Sequence, residues 1–222
     1  MASMISGNRE DYLINMLRIT EGERPAKTTE LASYMGVSPA SVTEMLKALA
    51  ADGYVDYERY RGATFTEKGL HHARKIRKKH HIMEMFLMDI LDVDSKTAHE
   101  EACKLEHALS EESMMRLCQM VGTPVDEDCD GCACPCKAAS TGKADMRSLS
   151  QMDAGESGVI SHLKSDDSEK VRNLIAMGFV PGRRISVESR VSDKGPRIVS
   201  VGECIIALDA KSASVIKVDV EA

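Results

Sequence analysis

Apolar residues recur every three or four positions through most of the first 120 residues, then give way to short alternating runs after residue 147. In the first third, Leu13, Met16 and Leu17 share one side of a helix predicted over residues 11–20. Residues 29–35 read as a second short helix, stopped by Gly36. Ser38 followed by Pro39 predicts an N-cap and a first helical position, opening a helix to about Ala51. Val42, Met45, Leu46 and Leu49 form its apolar stripe, and Gly53 closes it. Residues 54–57 and 63–66 then read as two strands around a turn at 58–62. Helix, helix, turn, helix and hairpin is the order of a winged helix-turn-helix.

A longer helix is predicted over about 67–91, basic in its first half (HHARKIRKKHH) and apolar in its second (IMEMFLMDIL). Ser95 and Ser110 are the expected caps of two more helices, about 96–109 and 111–120. Leu105, Leu109, Met114, Met115, Leu117 and Met120 are more apolar surface than so small a module buries alone, so a symmetric dimer is expected. Residues 122–147 lose all periodicity and read as a Cys-rich linker. Beyond them, alternating runs punctuated by Gly and Pro predict a small β-barrel with one helix at 168–177. The expected fold class is mainly α with a small β domain. The expected domains are 1–72, a winged helix; 73–121, a helical module; 122–147, the linker; and 148–222, the barrel.

Composition narrows the class. The chain is 43% hydrophobic and 29% charged, enough to bury a core. It has no apolar run of the roughly 20 residues that span a bilayer and no signal-like N-terminus, so a cytoplasmic protein without membrane contact is expected. Seven cysteines, an odd count, fit reduced thiols better than a disulfide framework. Charge is uneven: residues 1–79 carry +3, residues 80–147 carry −8 and residues 148–222 carry −1. A basic first third suits phosphate backbone, whereas an acidic middle suits cations or protein. There is no nucleophile elbow, phosphate loop or dinucleotide fingerprint, so no enzyme activity is expected.

The sharpest chemistry is the run HEEACKLEH, residues 99–107. On a helix His99, Cys103, Glu106 and His107 share a face, and His80 and Glu84 sit one turn apart on the preceding helix. Imidazole, thiolate and carboxylate together suit a divalent transition metal. Asp11, near the start of the first helix, is placed to complete such a site. On the helix opened by Ser38, the residues Ser38, Pro39, Ala40, Ser41 and Glu44 form the leading edge for a major groove. Lys47, Arg59 and Arg61 are the expected phosphate contacts. Cys129, Cys132, Cys134 and Cys136 leave two readings open, a chelating cluster or an oxidation-prone linker. A winged-helix redox or metal sensor responding through these thiols is the alternative function.

These motifs resemble the diphtheria-toxin-repressor family of metal-dependent transcriptional regulators. The likeness rests on EDYL at 10–13, VSPASVTEMLKAL at 37–49, FTEKG at 65–69, RKKHHIMEMFL at 77–87 and HEEACKLEH at 99–107. LIAMGFVPG at 174–182 and ALDAKSASVIKV at 207–218 look like the Src-homology-3-like, FeoA-type barrel that forms this family's third domain. The resemblance implies a homodimeric repressor of iron or manganese homeostasis genes that binds double-stranded operator DNA, with Fe²⁺ or Mn²⁺ as corepressor and two metal sites per subunit. It implies that Asp11, Cys103, Glu106 and His107 hold the metal coupled to DNA binding, and that His80, Glu84 and His99 form the ancillary site. Iron-responsive members typically have Met and Cys at positions 11 and 103; manganese-responsive ones have Asp and Glu, with a further Glu where this chain has Ile14. The chain is a hybrid, and its thiolate tips the balance toward Fe²⁺. The barrel position that some relatives use for the ancillary metal maps near Asp167, but its partner position is Lys170, which cannot ligate, so no ligand is expected from the barrel.

Overall fold

The computed structural model describes residues 7–121, 146–165, 167–192 and 195–221. They form two compact units, one of residues up to 80 and one of residues 81–121 with those from 146 onward. The Cys129–Cys136 cluster lies outside the described residues.

The N-terminal unit contains α1 (Gly7–Thr20), α2 (Thr28–Met35), α3 (Pro39–Ala51), the hairpin β1 (Val55–Glu58) and β2 (Gly62–Phe65), and most of α4 (Glu67–Met85). Its core is Leu13, Met16 and Leu17 of α1, Leu31 of α2, Val42, Leu46 and Leu49 of α3, and Val55, Ala63 and Ala73. The expected stripe on α3 is therefore the packed face, with Met45 at its margin. Losing any one of these leucines to Ala would cost about 2–5 kcal/mol. The hairpin is tied, close to its turn, to the loop between α1 and α2. Ala26 and Ala63 exchange both backbone hydrogen bonds, at 2.8 and 3.0 Å.

The second unit begins on the last turn of α4. Where sequence predicts one helix to about residue 91, the chain instead widens into a π-helical turn, Phe86–Ile90, closed by Leu91 N–H donating to the Phe86 carbonyl at 3.2 Å. Then come α5 (Ser95–Leu105) and α6 (Glu111–Val121). Two expectations need correction. Asp94, not Ser95, caps α5, its carboxylate accepting from the N–H groups of Lys96 and Thr97 at 3.1 Å. In the run Asp94-Ser95 either residue can cap, and the extended backbone at Asp94 decides it. The helix also ends at Leu105, so Glu106 and His107 stand on a turn beyond it. Ser110 does cap α6, accepting from the Ser113 N–H at 3.1 Å. Ile82, Met114, Cys118 and Val121 form one small core of this module; Met83, Leu87, Ala98 and Ala102 form another. Of the apolar residues expected at a dimer face, Met114 is buried within the chain, while Leu105 is 42% exposed.

The sheet domain has six antiparallel strands in the order β3-β8-β4-β5-β6-β7: β3 (Met146–Ser148), β4 (Ser157–Leu163), β5 (Arg184–Arg190), β6 (Arg197–Val201), β7 (Cys204–Leu208) and β8 (Ile216–Val220). The expected helix is α7 (Ser168–Ala176), capped by Asp167. A second, α8 (Ala210–Val215), was hidden in a run of strand-like alternation and starts where Asp209 accepts from the Lys211 and Ser212 N–H groups. The core is Leu149, Ile160, Leu163, Leu174, Phe179, Val187, Val199 and Val218, and Ile90 of the π turn packs against it. The chain is thus mainly helical with a small antiparallel β domain.

Candidate functional site

Two surfaces carry the residues singled out by sequence. On the N-terminal unit, Ser38 Oγ accepts from the Ser41 N–H at 3.1 Å and lies 2.8 Å from Ser41 Oγ. Pro39 occupies the first turn, where a missing N–H costs nothing. This geometry leaves Ser38, Pro39, Ala40, Ser41, Glu44 and Lys47 all exposed along one edge of α3. Arg59 and Arg61 are exposed on the turn of the hairpin. The Arg61 guanidinium donates to Glu58 at 3.1 Å, an ion pair largely open to solvent and therefore weak.

Between α3 and the hairpin runs a groove of about 630 Å³, lined by Lys27, Thr28 and Thr29 at the start of α2, Thr43 and Lys47 of α3, and Tyr57, Arg59 and Tyr60 of the hairpin. Hydroxyls, cations and a helix start facing one groove are the chemistry of a phosphate backbone. Lys27, Thr28, Thr43 and Tyr60 were not foreseen. The dipeptide Thr28-Thr29 after a lysine was the available signal.

In the second unit, α4 and α5 bring Glu84 and His99 together. Glu84 Oε1 lies 2.7 Å from His99 Nδ1, and the other ring nitrogen, Nε2, lies 3.8 Å from Cys103 Sγ one turn further along α5. Carboxylate, imidazole and thiol thus form a continuous chain. Just past α5, Glu106 is 3% exposed and its Oε1 lies 3.3 Å from His107 Nε2. A carboxylate so deeply buried needs a cationic or hydrogen-bonding partner. The remaining two sequence-predicted ligands belong to the N-terminal unit. Asp11 is half-buried on α1, its backbone carbonyl accepting from the Asn15 side chain at 2.8 Å. His80 is 6% exposed on α4, one helical turn before Glu84. Two carboxylates, two imidazoles and a thiol within the helical module fit a divalent transition metal, and Glu84 would also orient the His99 ring.

In the sheet domain Asp167 is engaged as the cap of α7, accepting from the Lys170 N–H at 3.1 Å. His162 of β4 is 7% exposed, and burial, followed by the charges of Lys217 and Lys164, depresses its pKa to about 4. Among the described residues no helix is long and apolar enough to cross a membrane.

Residues 4–63 match the family description "Iron dependent repressor, N-terminal DNA binding domain", residues 66–134 match "Iron dependent repressor, metal binding and dimerisation domain", and residues 147–220 match "FeoA domain". An HTH-type transcriptional regulator of Methanocaldococcus jannaschii is 53% identical over 114 residues, which is 51% of this chain and 91% of that protein. The HTH-type transcriptional regulator MntR of Bacillus subtilis is 32% identical over 118 residues, 53% of this chain and 82% of MntR. Among solved structures, a manganese-dependent transcriptional repressor in complex with manganese aligns at 24% identity and TM-score 0.48, covering 96% of this chain and all of that one. IdeR of T. acidophilum aligns at 20% identity and TM-score 0.48, covering 96% and 97%. The chain belongs to the iron-dependent repressor family of metal-dependent, DNA-binding transcriptional regulators.

Proposed function

We propose that this protein is a repressor that binds operator DNA as a homodimer when Fe²⁺ or Mn²⁺ occupies its helical module, and that it acts in the cytoplasm on genes of iron or manganese homeostasis. The observation that carries this reading is the Glu84–His99–Cys103 chain on α4 and α5, which brings carboxylate, imidazole and thiol, the donors of a divalent transition metal, into contact. In this reading residues 1–72 bind DNA, 73–121 hold metal and dimerise, 122–147 link, and 148–222 form the FeoA-type domain.

Cys103, Glu106 and His107, joined by Asp11, hold one ion; His80, Glu84 and His99 hold a second. The bound ion supplies a compact positive charge that neutralises these carboxylates and the thiolate. Asp11 gains its place in the set only when α1 is held against the helical module, so ligation selects one orientation of the winged helix over the others. The apolar residues left partly open on the helical module, Leu105 foremost, are covered by a second copy. Two α3 helices then present Ser38, Pro39, Ala40, Ser41 and Glu44 to successive major grooves, with Lys47, Arg59 and Arg61 on phosphates. The thiolate of Cys103 favours Fe²⁺ over Mn²⁺, against the hard oxygens of Asp11 and Glu106.

The test is anaerobic. Duplexes enriched from a random pool by the full chain are titrated with Fe²⁺, Mn²⁺ and Zn²⁺ in parallel, using wild type, Cys103→Ala and His107→Ala. Metal-stimulated binding in wild type, lost in both variants while each remains a folded dimer, is expected. Unchanged metal dependence in both variants overturns the ligand assignment.

A further inference from the structure

At the tip of the wing Tyr60 does more than line the groove beside α3. Glu58 pairs with Gly62, leaving Arg59, Tyr60 and Arg61 as the turn, and the Arg61 N–H donates back to the Glu58 carbonyl at 3.1 Å. Tyr60, the third residue of the β-turn formed by Glu58, Arg59, Tyr60 and Arg61, has φ 73°. That is the left-handed conformation that such turns give to Gly or Asn. Its side chain is 90% exposed. Its described aromatic contact is with Arg59, whose Cζ lies 4.9 Å from the ring centroid. A Gly would suit the turn better, and core packing does not reward the ring. Backbone strain beneath a fully exposed aromatic is the pattern of a contact residue.

The mount beneath it is rigid. Ala26 and Ala63 exchange two backbone hydrogen bonds, and Gly62 sits so close to that loop that a Cβ would fall 2.2 Å from the Ala26 carbonyl oxygen. The groove beside α3 has Thr43 and Lys47 on one wall and Arg59 and Tyr60 on the other. A phosphate strand lying in this groove separates the two walls. With α3 in the major groove, the far wall then stands over the minor groove, whose width of about 6 Å admits a side chain but not a hairpin.

We propose that Tyr60 is a specificity-determining residue that directs Arg59 past the phosphate contact given to it above and into the minor groove, and that the wing thereby selects A·T pairs flanking the segment read by α3. The inference rests on the DNA-binding reading above. Stacking on Tyr60 pre-orders the Arg59 guanidinium for entry. A narrow A·T minor groove concentrates negative potential around a guanidinium, whereas the exocyclic amine of guanine obstructs its floor.

The test uses the full chain with Mn²⁺ or Fe²⁺ and duplexes enriched from a random pool, selected separately by wild type and Tyr60→Gly. Gly relieves the positive φ, so the variant is expected to melt no lower than wild type. It is expected to bind the wild-type-selected duplex roughly tenfold more weakly, and its own pool is expected to lose the flanking A·T preference. In wild type, a flanking I·C pair, which differs from G·C only by the missing minor-groove amine, is expected to bind several-fold tighter than G·C; in Tyr60→Gly the two are expected to be equal. Equal binding of I·C and G·C by wild type, or full affinity in Tyr60→Gly, overturns the proposal. Failure of wild type to enrich any duplex with either metal would remove the DNA-binding reading itself, and this inference with it.

Discussion

The hydroxyl of Ser168, first residue of α7, donates to Asp89 Oδ1 in the π turn at 2.8 Å. Arg172, one turn along α7, donates to the Asp89 backbone carbonyl at 2.7 Å. Ile90, next in the chain, packs into the core of the sheet domain. The widened turn at the end of α4 is therefore the place where the helical module and the sheet domain lock together inside one compact unit. Asp89→Ala should lower stability by about 1 kcal/mol, the usual net worth of such a bond, whereas Asp89→Asn keeps an acceptor and should stay near wild type. Thermal midpoints of the two variants decide it, and equal loss in both would assign the effect to charge rather than to the hydrogen bond.

That lock shows where sequence reading stops. Ser38-Pro39 and the stripe Val42, Leu46, Leu49 made α3 legible because cap chemistry and helical period agree. His99 and Cys103 were legible because i, i+4 spacing needs only one helix. The contact of Glu84 with His99 depends on how α4 and α5 pack, and no local pattern encodes it. The π turn at Phe86–Ile90 was invisible because its apolar residues fit an ordinary helix equally well. The end of α5 at Leu105 is silent for a similar reason: Glu106, His107 and Ala108 are all acceptable helix residues, so no local signal marks the stop. Tyr60 escaped notice because a tyrosine gives no sign of a left-handed backbone.

Ser38 caps α3 and is proposed to face DNA, and two substitutions separate the two roles. Ser38→Ala removes the acceptor for the Ser41 N–H and should cost about 1 kcal/mol. Ser38→Asp retains a capping oxygen and adds negative charge near the start of α3, which the helix dipole favours. Its stability should match wild type, yet its affinity for operator-like duplexes should fall, because the same charge would face phosphate. Full DNA affinity in Ser38→Asp would remove Ser38 from the interface.

His162 gives the protein a pH-dependent stability of definite sign. Burial lowers its folded pKa from the ordinary 6.5 to about 4, with Lys217 and Lys164 acting in the same direction and Cys118 opposing. The unfolded chain therefore takes up the proton first. The contribution is fully present above pH 6.5 and is lost as pH falls toward 4. At about 1.4 kcal/mol per pKa unit the change is on the order of 3 kcal/mol. Asp219 of β8, whose pKa burial raises, titrates with the opposite sign, so the quantity to follow is the difference between wild type and His162→Gln. That difference should shrink in stability terms on acidification across this window. A constant difference would mean that His162 is not the titrating group.

Metal choice can be tested through positions 11, 14 and 103, and the structure adds a condition. The resemblance to manganese-responsive relatives implies that Cys103→Glu moves the response toward Mn²⁺ and that Asp11→Met moves it toward Fe²⁺, on hard–soft grounds. The bridging carboxylate of those relatives would require Ile14→Glu as well. Ile14, however, is 2% exposed, and a carboxylate buried there without a partner costs several kcal/mol. The double variant Cys103→Glu/Ile14→Glu should therefore melt well below wild type without metal. Mn²⁺ ligation would offset that cost only if the new carboxylate reaches an ion, so added Mn²⁺ should raise its melting temperature more than that of Cys103→Glu alone. The second measurement is the ratio of half-activating Fe²⁺ and Mn²⁺ concentrations for DNA binding, taken anaerobically. Cys103→Glu should shift it part of the way toward Mn²⁺, the double variant further, and Asp11→Met the other way. If none of the three moves that ratio, the donors at these positions do not set selectivity, and the preference for Fe²⁺ argued from Cys103 falls with them.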